Sequence, residues 1–551
     1  MFLPLLPHLA QSFLPLTNPL GMGVADLIEL ALAALLLVFA LAWRPWFEPY
    51  AAMLAQKPAW CMLLLAGLPV ALRLLLLPWH PAPVPDIYDE FSHLLVADTL
   101  RHFRLANAAH PFHRFFETFF VLQEPTYSSI YPVGQGAALA IGWIVFGTPW
   151  AGVVIPVAAL CALCYWMLRG WTTPNWALTG GVLAVMEFGP LNQWMNSYWG
   201  GALPAAGGCL VFGALPRLRR GSDLRYAVLL GAGLAIHLLT RPYESVFLLL
   251  CVVLYLLPAG RSAVKPLLVA ALVALPAIGI TLLQNKQVTG SWMMLPYALS
   301  QYQYGVPAAL TFQQDAAPHR ELTREQQLDY KMQVSFRGEH AETVGAYLLR
   351  LAYRIRYYRF FFMPPLYLTL PFFFAALRET RFVWAVVFPL ILALGINFFP
   401  AFQYHYMAAV TCFFVLIGVT GLQQLSRFSP LAAGVVILLC IAQFAFEYGL
   451  HVFSHDPWSL ALRNPERRVA VNNQLARAPG KQLVFVRYWP RHIFQDEWVY
   501  NAADIDGARV VWARDLGAAE DEKLRQYYPG RTVWLLEPDA RPPRLTPYMV
   551  E

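Results

Sequence analysis

The chain has 551 residues, of which 58% are hydrophobic and 13% charged, about half the charged share of a soluble globular domain. That much hydrocarbon cannot be hidden in a water-soluble core, which excludes an ordinary soluble enzyme. The formal charge of +7 is spread over short loops between apolar runs, where basic residues report membrane topology and imply no nucleic-acid partner.

Residues 1–20 contain four prolines and no Lys or Arg, unlike the charged start of a cleaved signal peptide; residues 1–23 read as a short leader. A membrane span needs about 20 mostly apolar residues. Runs of this kind predict twelve spans, at 24–43, 60–79, 150–169, 175–190, 202–216, 226–240, 245–260, 266–284, 360–377, 382–399, 406–424 and 430–448. Residues 136–147 are apolar but short, and read as a juxtamembrane helix. Arg44 and Lys57, Arg169, Arg217 to Arg225, Arg261 and Lys265, Arg378 and Arg381, and Arg427 then all fall on one side, the cytoplasmic one. Counting 136–147 as a further span would scatter them.

This arrangement predicts a helical membrane domain over 24–449, with outer loops at 80–149 and 285–359, and a soluble extracytoplasmic domain over 450–551. In that tail VFVRY (484–488), VVWAR (510–514) and TVWLLE (532–537) read as short buried strands, and Asp521 to Tyr528 as a helix. Alternating strands and helix predict a small α/β unit. All seven cysteines lie in apolar runs and none in the tail, so no structural disulfide is expected there. Cys161 and Cys164 form a C-x-x-C, a weak signal on an embedded helix.

The stretch richest in chemistry is PVPDIYDEFSHLLVADTLRHFRLANAAHP (83–111), immediately after a span. Asp86, Asp89 and Glu90 stand where Leu94, Leu95, Ala97 and Leu100 announce a helix. These acids have an ordinary explanation: Asp86 as N-cap, with Asp89 and Glu90 complementing the helix dipole. They also have a functional one, a carboxylate at the lipid–water boundary that takes a proton from a hydroxyl or amine.

An acidic pair after a span, a long outer loop closing in YPVGQGAALAIGWIVFG (131–147), and a following bundle of spans resemble the GT-C glycosyltransferases. The resemblance is to family 39, the protein O-mannosyltransferases, and to the lipid A aminoarabinose transferases, over residues 60–450. Asp89-Glu90 matches the Asp-Glu pair of their first outer loop; His110-Pro111 and Phe146-Gly147 fall where relatives have similar residues. The resemblance implies a GT-C-like bundle in a bacterial inner membrane that moves a sugar, with inversion, from a polyprenyl-phosphate donor. The acceptor would be an extracytoplasmic lipid, glycan or protein. Asp89 would be the general base, oriented by Glu90 or Asp86. One departure stands out: many relatives carry another acid in the next outer loop, whereas LNQWMNSYWGGALPAAGG has none. That removes a second carboxylate for a metal, so no cofactor is required, although a divalent cation remains compatible. Asn196, Tyr198 and Trp199 in this loop are polar or stacking candidates, or simply an interfacial belt.

A phosphate-linked donor calls for cations at the outer surface. Arg241 ends the sixth span, where the resemblance expects a basic residue. Arg350, Arg354, Arg356 and Arg359 precede the ninth, and guanidinium pairs bidentately with phosphate. Such arginines also snorkel to ordinary headgroups. Arg241, Arg356, Arg359 and His405 are the candidate phosphate ligands; His237 reads as a packing residue and Arg73 as a snorkelling one. Two rival classes remain. A lipid or solute transporter would be polytopic too, but its ionisable groups gather near the midplane. A membrane scaffold would use the tail as a binding domain.

Overall fold

The computed structural model describes residues 48–221, 223–336 and 342–549. The expected leader and the first predicted span, 24–43, lie outside these residues. Helix α1 (Glu48–Ala55) leads into α2 (Pro58–Leu75), which opens with proline at its first position, where the missing N–H costs nothing. The first outer segment holds α3 (Tyr88–Arg101), a three-stranded antiparallel sheet of β1 (Asn107–Ala108), β2 (Val121–Leu122) and β3 (Thr126–Ser129) in the order β1-β3-β2, and α4 (Val133–Phe146). At 14 residues α4 is about 21 Å long, short of a full crossing, and it leaves Ile141, Ile144, Val145 and Phe146 exposed.

The bundle continues with α5 (Ala151–Trp171), α6 (Pro174–Phe188), α7 (Ala202–Arg220), α8 (Leu224–Thr240), α9 (Pro242–Leu256) and α10 (Val264–Thr289). Their shared core includes Leu160, Trp171, Phe212, Phe388 and Phe413, whereas the outer faces of α2 and α10 stay apolar and uncovered. Apolar faces on the outside of a helical bundle mark an integral membrane protein. The next outer segment carries α11 (Pro296–Tyr304), α12 (Arg324–Ser335) and α13 (Val344–Arg354). It is followed by α14 (Leu370–Ala376), α15 (Thr380–Ile396), α16 (Thr411–Phe428) and α17 (Pro430–Val452).

Among the described residues five helical stretches are long and apolar enough to cross a membrane: Pro58–Leu75, Ala151–Trp171, Pro242–Thr289, Tyr404–Phe428 and Pro430–Val452. The 48-residue stretch Pro242–Thr289 divides into α9 and α10 at Gly260, whose φ of 54° interrupts the helical backbone. The shorter apolar helices α8 and α15 coincide with other predicted spans. Residues 360–377 differ from expectation. They form no straight span: Val344–Phe361 and Pro364–Ala376 meet at 113°, because Pro364 and Pro365 deny the backbone two amide donors there.

The tail comprises α18 (Glu466–Arg477), β4 (Gln482–Val486), β5 (Val510–Arg514), α19 (Ala518–Tyr527), β6 (Thr532–Glu537) and β7 (Arg544–Pro547). The sheet runs β5-β4-β6-β7, with β4 parallel to β5 and β6 and β7 antiparallel to β6. Strand β4 is buried throughout, as expected for a parallel strand covered on both faces. One cover is α18, through Val471 and Leu475 packed with Val484 and Val486. The other comes from the first outer segment: Leu95, Phe115, Phe116, Val121 and Tyr127 share a core with Leu483, Phe485 and Val511. The tail therefore completes its core with residues that precede it by several hundred positions.

Candidate active site

Helix α3 has Ile87 as its N-cap, not Asp86. The capping function falls to Glu90, whose Oε2 accepts from the backbone N–H of Asp86 at 3.0 Å and of Ile87 at 3.2 Å. Its Oε1 accepts from the N–H of Tyr198 at 2.9 Å. Glu90 is 2% exposed, and burial raises its carboxyl to about 7 against these three amides. It binds the start of the first outer loop to the loop between α6 and α7. Asp86 is half-buried; burial raises its carboxyl too, offset chiefly by the charge of Arg468 from the tail. The expected N-cap at Asp86 is thus not formed; Asp89 and Glu90 do stand in the first turn, and Glu90 also caps the backbone there.

Asp89 is different. It is 7% exposed, and its Oδ1 accepts a short hydrogen bond from the phenol of Tyr131. The side chain of Trp199 and the charge of Arg241 also act on it. Burial raises the Asp89 carboxyl to about 6, with Tyr131, Arg241 and Trp199 acting in the opposite sense. A carboxylate so placed is largely ionised at neutral pH yet remains a usable base.

Three close approaches assemble this arrangement. A Cβ at Gly134, in the first turn of α4, would lie 2.6 Å from the carbonyl oxygen of Leu239. The end of α8, and Arg241 after it, can therefore lie against the turn that carries Tyr131. Gly201 holds φ at 126°, and a Cβ there would strike the indole of Trp194, so only glycine permits the backbone that turns Trp199 toward Asp89. Asn196 accepts from Arg73 Nε at 2.7 Å and donates to the carbonyls of Pro190 and Asn192, which fixes the same loop. Arg73 is correspondingly buried, bonded to the carbonyls of His80 and Pro81; it does not snorkel.

Arg241 stands over the ring of Tyr406 at 5.5 Å, and its charge also reaches His93, His405 and Glu244. Among the described residues no hydrogen bond or ion pair occupies its guanidinium. His405 packs edge-on against Trp199 at 5.0 Å, inside the same group. His93 stacks on Tyr131 at 4.3 Å with neither ring nitrogen partnered; burial and Arg241 lower it to about 3, so it is neutral. His237 bonds Ser245 Oγ at 2.7 Å, in keeping with a packing role.

The run of four arginines divides. Arg350 donates to the Asn397 carbonyl and pairs with Glu342. Arg354 is buried and donates to the carbonyls of Ile396, Pro400 and Ala401, closing the end of α15. Arg356 lies between the rings of Tyr353 and Tyr357, at 3.7 and 4.9 Å, while Arg359 is exposed. Neither is among the groups that chiefly set the Asp89 carboxyl.

Tyr131 and His93 lie within stretches that attract attention in the sequence, yet neither has a motif of its own. Asp329 on α12 has no sequence signal at all. Among the described residues no group of three or more His, Cys, Asp or Glu is arranged to hold a metal ion.

The sequence matches no family model and no curated protein. In structure it is similar to ArnT from Cupriavidus metallidurans in the apo state, with a TM-score of 0.49 and 11% identity over 86% of this chain and 92% of that one. ArnT bound to undecaprenyl phosphate gives 0.48 at 11% identity over the same shares. The Archaeoglobus fulgidus oligosaccharyltransferase in its apo form gives 0.40 at 13% identity, over 90% of this chain and 70% of that one.

Proposed function

We propose that the chain is an inverting membrane glycosyltransferase that moves a sugar from a polyprenyl-phosphate donor to an extracytoplasmic lipid, glycan or protein acceptor. The observation that carries the reading is a buried, hydrogen-bonded carboxylate, Asp89, within electrostatic reach of Arg241, whose guanidinium has no hydrogen bond or ion pair among the described residues. In this reaction Asp89 takes the proton from the acceptor O–H or N–H. The acceptor atom bonds to the anomeric carbon, and the bond from that carbon to the phosphate oxygen breaks, leaving its electrons on the phosphate. Arg241 stabilises that developing charge, the kind of electrostatic contribution that is often the largest in catalysis. His405 shares its surroundings and offers a further contact to the phosphate. Glu90 holds the loop; Arg356 and Arg359 stand apart from the reacting group and meet the donor, if at all, on its way in.

The twelve predicted crossings, with the bent stretch Val344–Ala376 counted as one, would gather the basic loops on one side and leave 80–149, 285–359 and 450–551, with Asp89 and Arg241, on the extracytoplasmic one. The test is a pair of variants in the full chain. Arg241→Ala should weaken binding of undecaprenyl phosphate by about 1.5–3 kcal/mol, the range for charged hydrogen bonds, with Lys restoring part of it. Asp89→Asn should leave that binding intact and slow transfer about 10²–10⁴-fold. Transfer undiminished in Asp89→Asn would end the reading.

A further inference from the structure

Asp329 lies on α12, in the second large outer segment, and none of its surface is exposed. Its Oδ2 accepts from Gln333 Nε2 at 2.9 Å, and its Oδ1 has no partner. Gln333 in turn accepts the N–H of Ala308 through Oε1, which fixes the side chain from behind. The next residue, Tyr330, packs in one cluster with Tyr88 and Tyr131, the residue preceding Asp89 and the residue bonded to it. The charge of Asp89 is felt at Asp329, and both carboxylates are felt at Tyr88. Among the described residues no cation pairs with Asp329.

A fully buried carboxylate with one oxygen unpartnered and a second carboxylate for company destabilises the fold. Burying an unsatisfied polar atom costs about 1–3 kcal/mol, and more for a charged one. Asparagine would fit the same space and keep an acceptor for Gln333 without the charge. Packing therefore gives no reason for an acid at this position, whereas a ligand that donates hydrogen bonds does. Helix α12 is also held firmly enough to present such a group. Arg514 from the tail pairs with Glu325 at 2.6 Å, one turn before Asp329, and Gln326 donates to the Thr118 carbonyl.

We propose that Asp329 is a second carboxylate of the reaction centre, and that its free oxygen receives a hydroxyl, amine or ammonium hydrogen of the acceptor, orienting the nucleophile toward Asp89. The proposal rests on the glycosyltransferase reading and adds the side from which the acceptor is held.

The experiment is Asp329→Asn in the full-length protein, with three measurements. Melting temperature at pH 8 should rise, because the variant loses a buried charge and keeps the shape. Binding of undecaprenyl phosphate should stay within about twofold, since the donor's phosphate contacts are elsewhere. Conversion of a polyprenyl-phosphate-linked sugar to polyprenyl phosphate, in membranes carrying the native acceptor, should fall by about tenfold to a hundredfold, the cost of a misplaced reactant. A variant that transfers within about twofold of the natural protein overturns the proposal, and so does one that melts lower or fails to fold, which would make Asp329 a structural acid. Asp89→Asn, run in parallel, tests the underlying reaction separately: if it alone leaves transfer intact, the base is misassigned whatever Asp329 does.

Discussion

Tyr131 donates its phenolic hydrogen to Asp89, 42 positions earlier in the chain, while its ring stacks on His93, one helical turn beyond Asp89 on α3. The Asp89 carboxylate is thus held by a side chain that is itself held, and its protonation depends on a partner outside its own helix.

Tyr131→Phe should keep the stacking and lose the donor. Burial already raises Asp89 to about 6, and the phenol opposes that rise. Without it the carboxylate binds its proton more tightly, so the acidic limb of kcat/KM against pH should move upward by about 1 unit, equivalent to about 1.4 kcal/mol. Activity above pH 8 should be nearly retained. An acidic limb that stays in place would show that the phenol does not tune this acid.

Glu90 separates structure from catalysis. Glu90→Ala strands the amides of Asp86, Ile87 and Tyr198, at about 1–3 kcal/mol for each one that stays buried, and thermal unfolding should show a fall of several degrees. Glu90→Gln retains one acceptor oxygen and should recover much of both stability and transfer. If Gln at 90 instead abolished transfer with the melting temperature unchanged, Glu90 would be the base.

The arginines before the bent segment should behave in opposite ways. Arg354→Ala releases the carbonyls that end α15 and leaves a buried gap, a loss of about 3 kcal/mol by the usual cost of breaking a buried network. Arg359→Ala touches an exposed side chain and should change stability by no more than about 0.5 kcal/mol. Neither should alter undecaprenyl phosphate binding as much as Arg241→Ala. Equal binding losses at 241 and 359 would extend the phosphate site to the membrane rim.

The described cysteines, all seven of the chain, are buried, so a single introduced cysteine can be labelled selectively. Asp315→Cys and Lys523→Cys should react with a membrane-impermeant maleimide on intact cells, and Arg427→Cys only after the membrane is opened. Labelling of Arg427→Cys from outside would reverse the orientation.

Read along the chain, hydropathy found the long apolar helices, because transfer of apolar side chains into lipid is additive and local, but it did not foresee the break before Pro364 that bends residues 360–377. The three tail strands, and the helix between the second and third, were legible for a similar reason: short β-rich runs announce themselves without their partners. Asp89 and Arg241 could be picked out as a carboxylate and a cation at span ends. Their meeting could not, since it depends on the approach of α4 to α8 at Gly134 and on the left-handed turn at Gly201. The sequence also presents Asp89-Glu90 as a pair and Arg350 to Arg359 as a cluster. Helical geometry turns adjacent residues in different directions, so Glu90 meets backbone amides while Asp89 meets Tyr131, and Arg354 closes a helix while Arg359 meets solvent. Asp329 is the extreme case: on its own helix it is one more polar residue, and only the tertiary structure makes it a buried acid with a free oxygen. Local composition determined what could cross the membrane; contacts between distant segments decided which of its polar residues face one another.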